Sequence, residues 1–354
     1  MRELLSLGNG RGHSKHWPLV RLGLLGLLTA LSACQPQHDQ AANTVPPVGH
    51  YEGSLTATGQ PAMRAALDIR HPSRGHYEAE LTVPSASTLG FVADTIFFRG
   101  NQLRITRPAR RGQVLTLTLD GDFWRGTLAL DSVKIPTLLV KRGTPTPSTY
   151  RVEEVPQANG PAWLFAPADT STPGPALVLL PTTETAPTAA LWADALVREG
   201  IIVLLLPAAD SATASTEAPR LHAAFRLLRG TTGADTANIG AWVTGLRAGT
   251  LAQVVTSDGA PRVAFIIAQN ADFDLVGRDA FRALAKRKLP LLGLYSGRTA
   301  APRAAALRHA ASGRQGAAIR IYRAAGADLL VPGGVSPRLA PGLPGDVMNW
   351  LRER

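Results

Sequence analysis

The chain has 354 residues, 45% of them hydrophobic, with a formal charge of +11 and a single cysteine, Cys34. That length and apolar content exclude a disordered chain and leave room for two cores, and one cysteine excludes a disulfide scaffold. The arginines are scattered, with no run of five like charges and no interleaving of basic and aromatic residues, so nucleic-acid binding is not expected.

Arg2, Arg11, Lys15 and Arg21 outweigh Glu3 in the first 33 residues, and the remainder still carries +8. The stretch LGLLGLLTALSAC (22–34) follows these charges as a short apolar run closed by small residues. It is too short for a spanning helix, which needs about 20 apolar residues, and has the layout of a secretory signal. Leu31-Ser32-Ala33-Cys34 resembles the bacterial lipobox. The resemblance implies cleavage before Cys34, acylation of that cysteine and a membrane as partner, at the cell envelope. Gln35 rather than an aspartate follows, which by the enterobacterial sorting rule implies the outer membrane. Residues 34–49 read as a polar, proline-containing tether.

From residue 50 to 142 the pattern has period two, as in Leu115, Leu117 and Leu119, with hairpin signals at Gly100-Asn101 and Asp120-Gly121. About eight short strands predict a small antiparallel barrel or sandwich. The opening YEGSL (51–55) and the closing DGDFWRGT (120–127) resemble the lipocalin-like β-domain found before hydrolase domains in some envelope lipoproteins. Residues 143–150 read as a Pro/Thr linker.

Residues 151–354 change character. Continuous apolar runs at 176–181, 201–207, 238–244, 262–268, 289–295 and 317–324 fit strands buried on both faces, and helical patterns separate them. The expected fold class is α/β: a small antiparallel β-barrel or sandwich, then a mostly parallel sheet flanked by helices. Ligands in such sheets gather at the carboxyl ends of the strands, so the residues after each run carry the most information.

The order of these elements, with ADALVREGIIVLLL (193–206), AAFRLLR (223–229) and NIGAWVTGLRAG (238–249), resembles the α/β-hydrolase superfamily near its dienelactone-hydrolase and peptidase-like esterase branches. The resemblance implies four catalytic turns: a serine elbow, an acid, a histidine and an oxyanion turn. At the elbow two registers are open, one placing Arg247 and the other Gly245 where the serine belongs, and neither residue is a nucleophile. Ala300 falls at the acid position and Asp328 at the histidine position, while the oxyanion turn reads Pro181-Thr182-Thr183-Glu184.

The expectation is therefore a hydrolase-fold domain without the triad, retained for binding or structure, with no catalytic residue assigned. The alternative is an active ester- or peptide-like hydrolase using other residues. His222 and His309 lie within helical patterns and read as packed or solvated side chains. Thr244 lacks a neighbouring base, and Ser296 reads first as a turn residue before Gly297. Asp272 and Asp274 follow a strand and read as helix caps before they read as metal ligands, so neither metal nor cofactor is expected.

Arg247, Asp328, Thr182, Thr183 and Ser296 remain as candidate ligand-binding residues, for a small molecule, lipid or glycan. If Arg247 and Asp328 face each other, they form a bidentate pair or leave a charged pocket for an anion. A third reading makes the β-domain the binding part.

Overall fold

A computed structural model describes residues 45–157, 160–210, 212–312 and 316–354. Cys34 and the segments read above as leader and tether, up to residue 44, lie outside the described residues.

The first sheet contains β1 (Gly49–Leu55), β2 (Met63–Ser73), β3 (His76–Thr82), β4 (Phe91–Ala93), β5 (Ile96–Arg99), β6 (Gln102–Thr106), β7 (Gln113–Asp120), β8 (Phe123–Leu130) and β9 (Val133–Gly143). Its order is β4-β3-β2-β1-β9-β8-β7-β6-β5, antiparallel throughout, and it curls into a nearly closed barrel. The period-two alternation sends Leu103, Ile105, Leu115, Leu117 and Leu128 inward, all buried. Trp124 sits at the centre of this core, edge-on to Tyr51 and Phe98 at 6.0 and 6.2 Å. Side chains thus fill the interior. Gly121 opens the two-residue turn between β7 and β8 with φ +59°, where a side chain would be strained.

The second sheet contains β10 (Tyr150–Val155), β11 (Ala162–Pro167), β12 (Gly174–Leu180), β13 (Ile202–Leu205), β14 (Ala234–Thr244), β15 (Ile266–Gln269), β16 (Leu291–Ser296) and β17 (Ala318–Tyr322). Its order is β10-β11-β13-β12-β14-β15-β16-β17. The β10–β11 and β11–β13 pairs are antiparallel and the others parallel. Six helices join or follow the strands: α1 (Ala186–Arg198), α2 (Ala214–Gly230), α3 (Arg247–Thr256), α4 (Leu275–Lys286), α5 (Ala300–Ala310) and α6 (Gly345–Glu353). A short hairpin, β18 (Leu330–Val331) with β19 (Arg338–Leu339), precedes α6.

One face of this sheet packs on α2 to α5 through Leu221, Phe225, Leu251, Phe281 and Leu307. The other packs on α1 and α6 through Leu191, Trp192, Leu196 and Val347, and takes in Val92 from the first sheet. Burial on both faces is why β12 to β16 read as unbroken apolar runs. The chain leaves β12, places β13 on one side, and returns to place β14 on the other. The loops after β12 and β14 therefore diverge, and a crevice opens between them at the strand ends.

Candidate functional site

That crevice is a cavity of about 370 Å³. Thr182, Thr183, Glu184 and Thr185 reach it from the turn after β12, Asp210 from the segment after β13, and Thr244, Gly245 and Leu246 from the β14–α3 turn. Gln269 ends β15, Asn270 and Asp272 follow it, and Arg303 of α5 and Ala327 complete the lining.

The β14–α3 turn is sharp. Gly245 occupies the apex with φ +58°, and α3 begins two residues later at Arg247. A Cβ on Gly245 would stand 3.3 Å from Thr182 Cγ2. The turn thus has a sharp strand-to-helix form, like that of a nucleophile elbow, with a glycine at its apex.

Arg247 points elsewhere. Its guanidinium is 1% exposed and donates from Nε and Nη2 to Glu217 Oε2 of α2 at 3.1 and 2.8 Å. Nη1 donates to the carbonyls of Pro181 and Pro207 at 2.9 and 3.3 Å. Burial lowers the Arg247 pKa against the opposing pull of Glu217. Arg247 therefore ties α2 to the ends of two strands and does not line the cavity, which corrects both the Arg247–Asp328 pair and the anion pocket built on it. The carboxylate was supplied by α2, which the crossover from β13 lays beside the elbow.

Asp328 caps its own loop, accepting from the Leu330 N–H at 3.1 Å, while its carbonyl accepts from Trp192 Nε1 at 2.8 Å. Ala300, at the start of α5, is buried. Ser296 is buried as well. Its hydroxyl donates to Gly326 O at 2.6 Å and accepts from Asn270 Nδ2 at 2.9 Å. Ser296 and Asp328 thus hold the loop after β17 and do not line the cavity. Gln269 Nε2 and Asn270 Nδ2 both donate to Ala327 O at 2.8 Å, which ties the same loop down. His222 and His309 are absent from the cavity lining, and Asp274 caps α4 by accepting from the Gly277 N–H at 2.7 Å.

Of the residues weighed from the sequence, the cavity collects Thr182, Thr183, Glu184, Thr244, Gly245 and Asp272. Their hydrogen bonds are turned inward. The Thr182 N–H donates to Thr244 Oγ1 at 2.8 Å and to Thr185 Oγ1 at 3.0 Å, and the Thr185 and Thr244 hydroxyls lie 3.1 Å apart. The Thr183 N–H donates to Asp210 Oδ1 at 2.8 Å, and the Thr183 hydroxyl donates to Oδ2 of the same carboxylate. These bonds from Thr183 hold the Asp210 carboxyl below the usual carboxylate range. Two backbone donors that could face a developing oxyanion are thus taken by the protein's own oxygens.

Glu184, Asp210 and Asp272 give the lining three carboxylates against the one guanidinium of Arg303. The sequence reading passed over Asp210 and Arg303, although Asp210 lies just after a strand, where the carboxyl-end rule directs attention.

The strand order, the elbow and the cavity at the switch point define an α/β domain of hydrolase-like build carrying an antiparallel β-domain before it. Solved structures similar to the chain include a provisionally named dienelactone hydrolase from Klebsiella pneumoniae, at 14% identity and TM-score 0.42, covering 58% of this chain and 100% of that one. A provisionally named dipeptidyl aminopeptidase IV from Bacteroides ovatus (11% identity, TM-score 0.42) covers 87% of this chain, and Porphyromonas gingivalis dipeptidyl peptidase 4 (14%, TM-score 0.42) covers 85%. The match spans 50% of each of these two longer chains. No protein-family model and no curated protein matches the chain.

Proposed function

We propose that the α/β domain binds a small polar ligand in the switch-point cavity without cleaving it, in a protein held at the envelope membrane by acylated Cys34. One observation carries the binding reading. The backbone donors at Thr182 and Thr183, in the turn after β12, are committed to Thr244 and Asp210 beside an elbow that bears Gly245. Acyl transfer needs a nucleophile, a base and unoccupied donors at one place, and the lining contains no histidine.

The second reading is hydrolysis of an ester- or peptide-like bond, the activity in the names of the similar solved structures. Its support is the position of the cavity at the strand ends and the clustering of threonine hydroxyls with carboxylates there.

Incubation of residues 35–354 with short-chain p-nitrophenyl esters and a fluorophosphonate probe separates the two. The binding reading expects no turnover and no labelling, and stoichiometric labelling of Thr244, Ser296 or any serine would overturn it. The anchoring is carried by Leu31-Ser32-Ala33-Cys34. In cells fed labelled palmitate, the full chain should become labelled and the Cys34→Ala chain should not. Equal labelling of both would remove the anchor from the proposal.

A further inference from the structure

A cavity of about 750 Å³ lies where the two sheets meet, far from the elbow in the sheet order. Phe97, on the edge strand β5, forms one wall and is 61% exposed. Trp163, on β11 of the second sheet, forms another and is half-buried. Arg104 stands opposite Phe97 in the β5–β6 register. Arg111, Asp94 and Glu154 also line the space. Asp94 is pushed up from the usual carboxylate range by partial burial.

Arg107 is the fixed point of this wall. It is buried, donating from Nη1 to Thr88 O at 2.7 Å and to Gln113 Oε1 at 3.0 Å, and its Nη2 lies 3.7 Å from Asp194 Oδ2 of α1. That position joins the β-domain side of the cavity to the helix beside the other sheet, so the two walls are held at a set separation.

The composition of the lining selects among ligands. An acyl chain would offer no hydrogen-bond partner to the two arginines and two acidic side chains of the lining. A simple anion would meet Asp94 and Glu154, and a simple cation would meet Arg104 and Arg111. A sugar hydroxyl donates and accepts at once, so it can use a guanidinium and a carboxylate together, while the apolar faces of pyranose rings stack on exposed aromatic side chains. An extended peptide would seek an unpaired strand edge. The β10 edge is approached by β4, with the Val92 N–H donating to the Tyr150 hydroxyl at 2.9 Å, while β5 is itself a sheet edge, so competition by a peptide is part of the test.

We propose that this inter-sheet cavity is an oligosaccharide-binding site, with Phe97 and Trp163 as stacking platforms and Arg104, Arg111, Asp94 and Glu154 as hydroxyl partners. The inference stands independently of what the switch-point cavity does. The test is calorimetric titration of residues 35–354 with chitohexaose, cellohexaose and mannohexaose, followed by intrinsic tryptophan fluorescence.

At least one hexasaccharide should bind with a change in fluorescence that Trp163→Phe reduces. Phe97→Ala, at an exposed position that does not threaten the fold, should weaken binding about tenfold, and Thr183→Ala in the other cavity should leave it unchanged. Trp163→Ala should weaken it further, with Trp163→Phe restoring part of the loss if folding is intact. Failure of all three sugars to bind overturns the proposal, as does binding that Phe97→Ala leaves unchanged. So does displacement of the sugar from this site by octanoate or a neutral hexapeptide at equal concentration. Ester turnover at the elbow would refute the binding reading above and leave this one standing.

Discussion

Gly245 stands at the apex of the sharp turn between β14 and α3. With φ +58°, the position accepts glycine readily and charges any other residue about 1–2 kcal/mol of backbone strain. Gly245→Ser should therefore lower stability by that amount and restore no esterase activity, because no histidine lines the cavity and the Thr182 N–H is already bonded to Thr244. Urea midpoints and p-nitrophenyl acetate turnover check both halves, and turnover above the unmodified chain would contradict the geometry. Asp210 offers a second check in the same cavity. Its folded pKa is depressed by the two Thr183 bonds, so the stability it contributes is present above about pH 3.9 and lost as the pH falls through the folded value. In Thr183→Ala the hydroxyl bond is gone, and a carboxyl NMR titration should show the Asp210 pKa moving back up toward 3.9.

At the scale of elements, legibility followed burial. The strands β12 to β16 were readable because a strand covered on both faces leaves a continuous apolar run, and the helices between them keep a helical period. The antiparallel start was less visible: in the hairpin β10–β11, Tyr150–Val155 is mixed polar at a sheet edge and gives no such run, whereas its partner Ala162–Pro167 is apolar throughout and was passed over. The site suffered from the same limit. Arg247 could be found from the elbow, but its partner Glu217 sits 30 positions earlier on α2, and only the crossover brings the two to 2.8 Å. Glu217 also accepts from Arg220 Nη1 at 2.5 Å, so one buried carboxylate neutralises two guanidiniums. Glu217→Ala should cost about 3–5 kcal/mol by leaving Arg247 buried and unpaired. Chemical denaturation is the measurement, and a cost below about 1 kcal/mol would mean that the helix-to-elbow tie carries little.

At the scale of the whole molecule, the two sheets are joined through a polar network that neither needs for its own core. Asp194 of α1 accepts from the Tyr150 hydroxyl and from Arg198 Nε at 3.2 Å, and lies 3.7 Å from Arg107 of the β-domain. Arg198 reaches Glu80 of β3 at 3.3 Å, and Glu80 in turn holds Arg70 at 3.0 Å and the Thr149 hydroxyl at 2.7 Å. Burial lowers the Arg107 pKa to about 10, which still leaves it charged at neutral pH. Removing its one nearby carboxylate would strand that charge inside the junction, a loss of about 3–5 kcal/mol. Asp194→Ala should therefore do more than lower the melting temperature. The shared interface would weaken relative to the two cores, whose buried residues form separate clusters apart from Val92. Calorimetry should then show two transitions for the variant, where residues 35–354 with Asp194 in place are expected to melt in one. If the variant still melts in one transition, with its midpoint unchanged, the network does not couple the sheets and the other crossing contacts, of Val92, Ala109, Val335 and the Thr88 hydroxyl with Ser336 and Pro337, are sufficient.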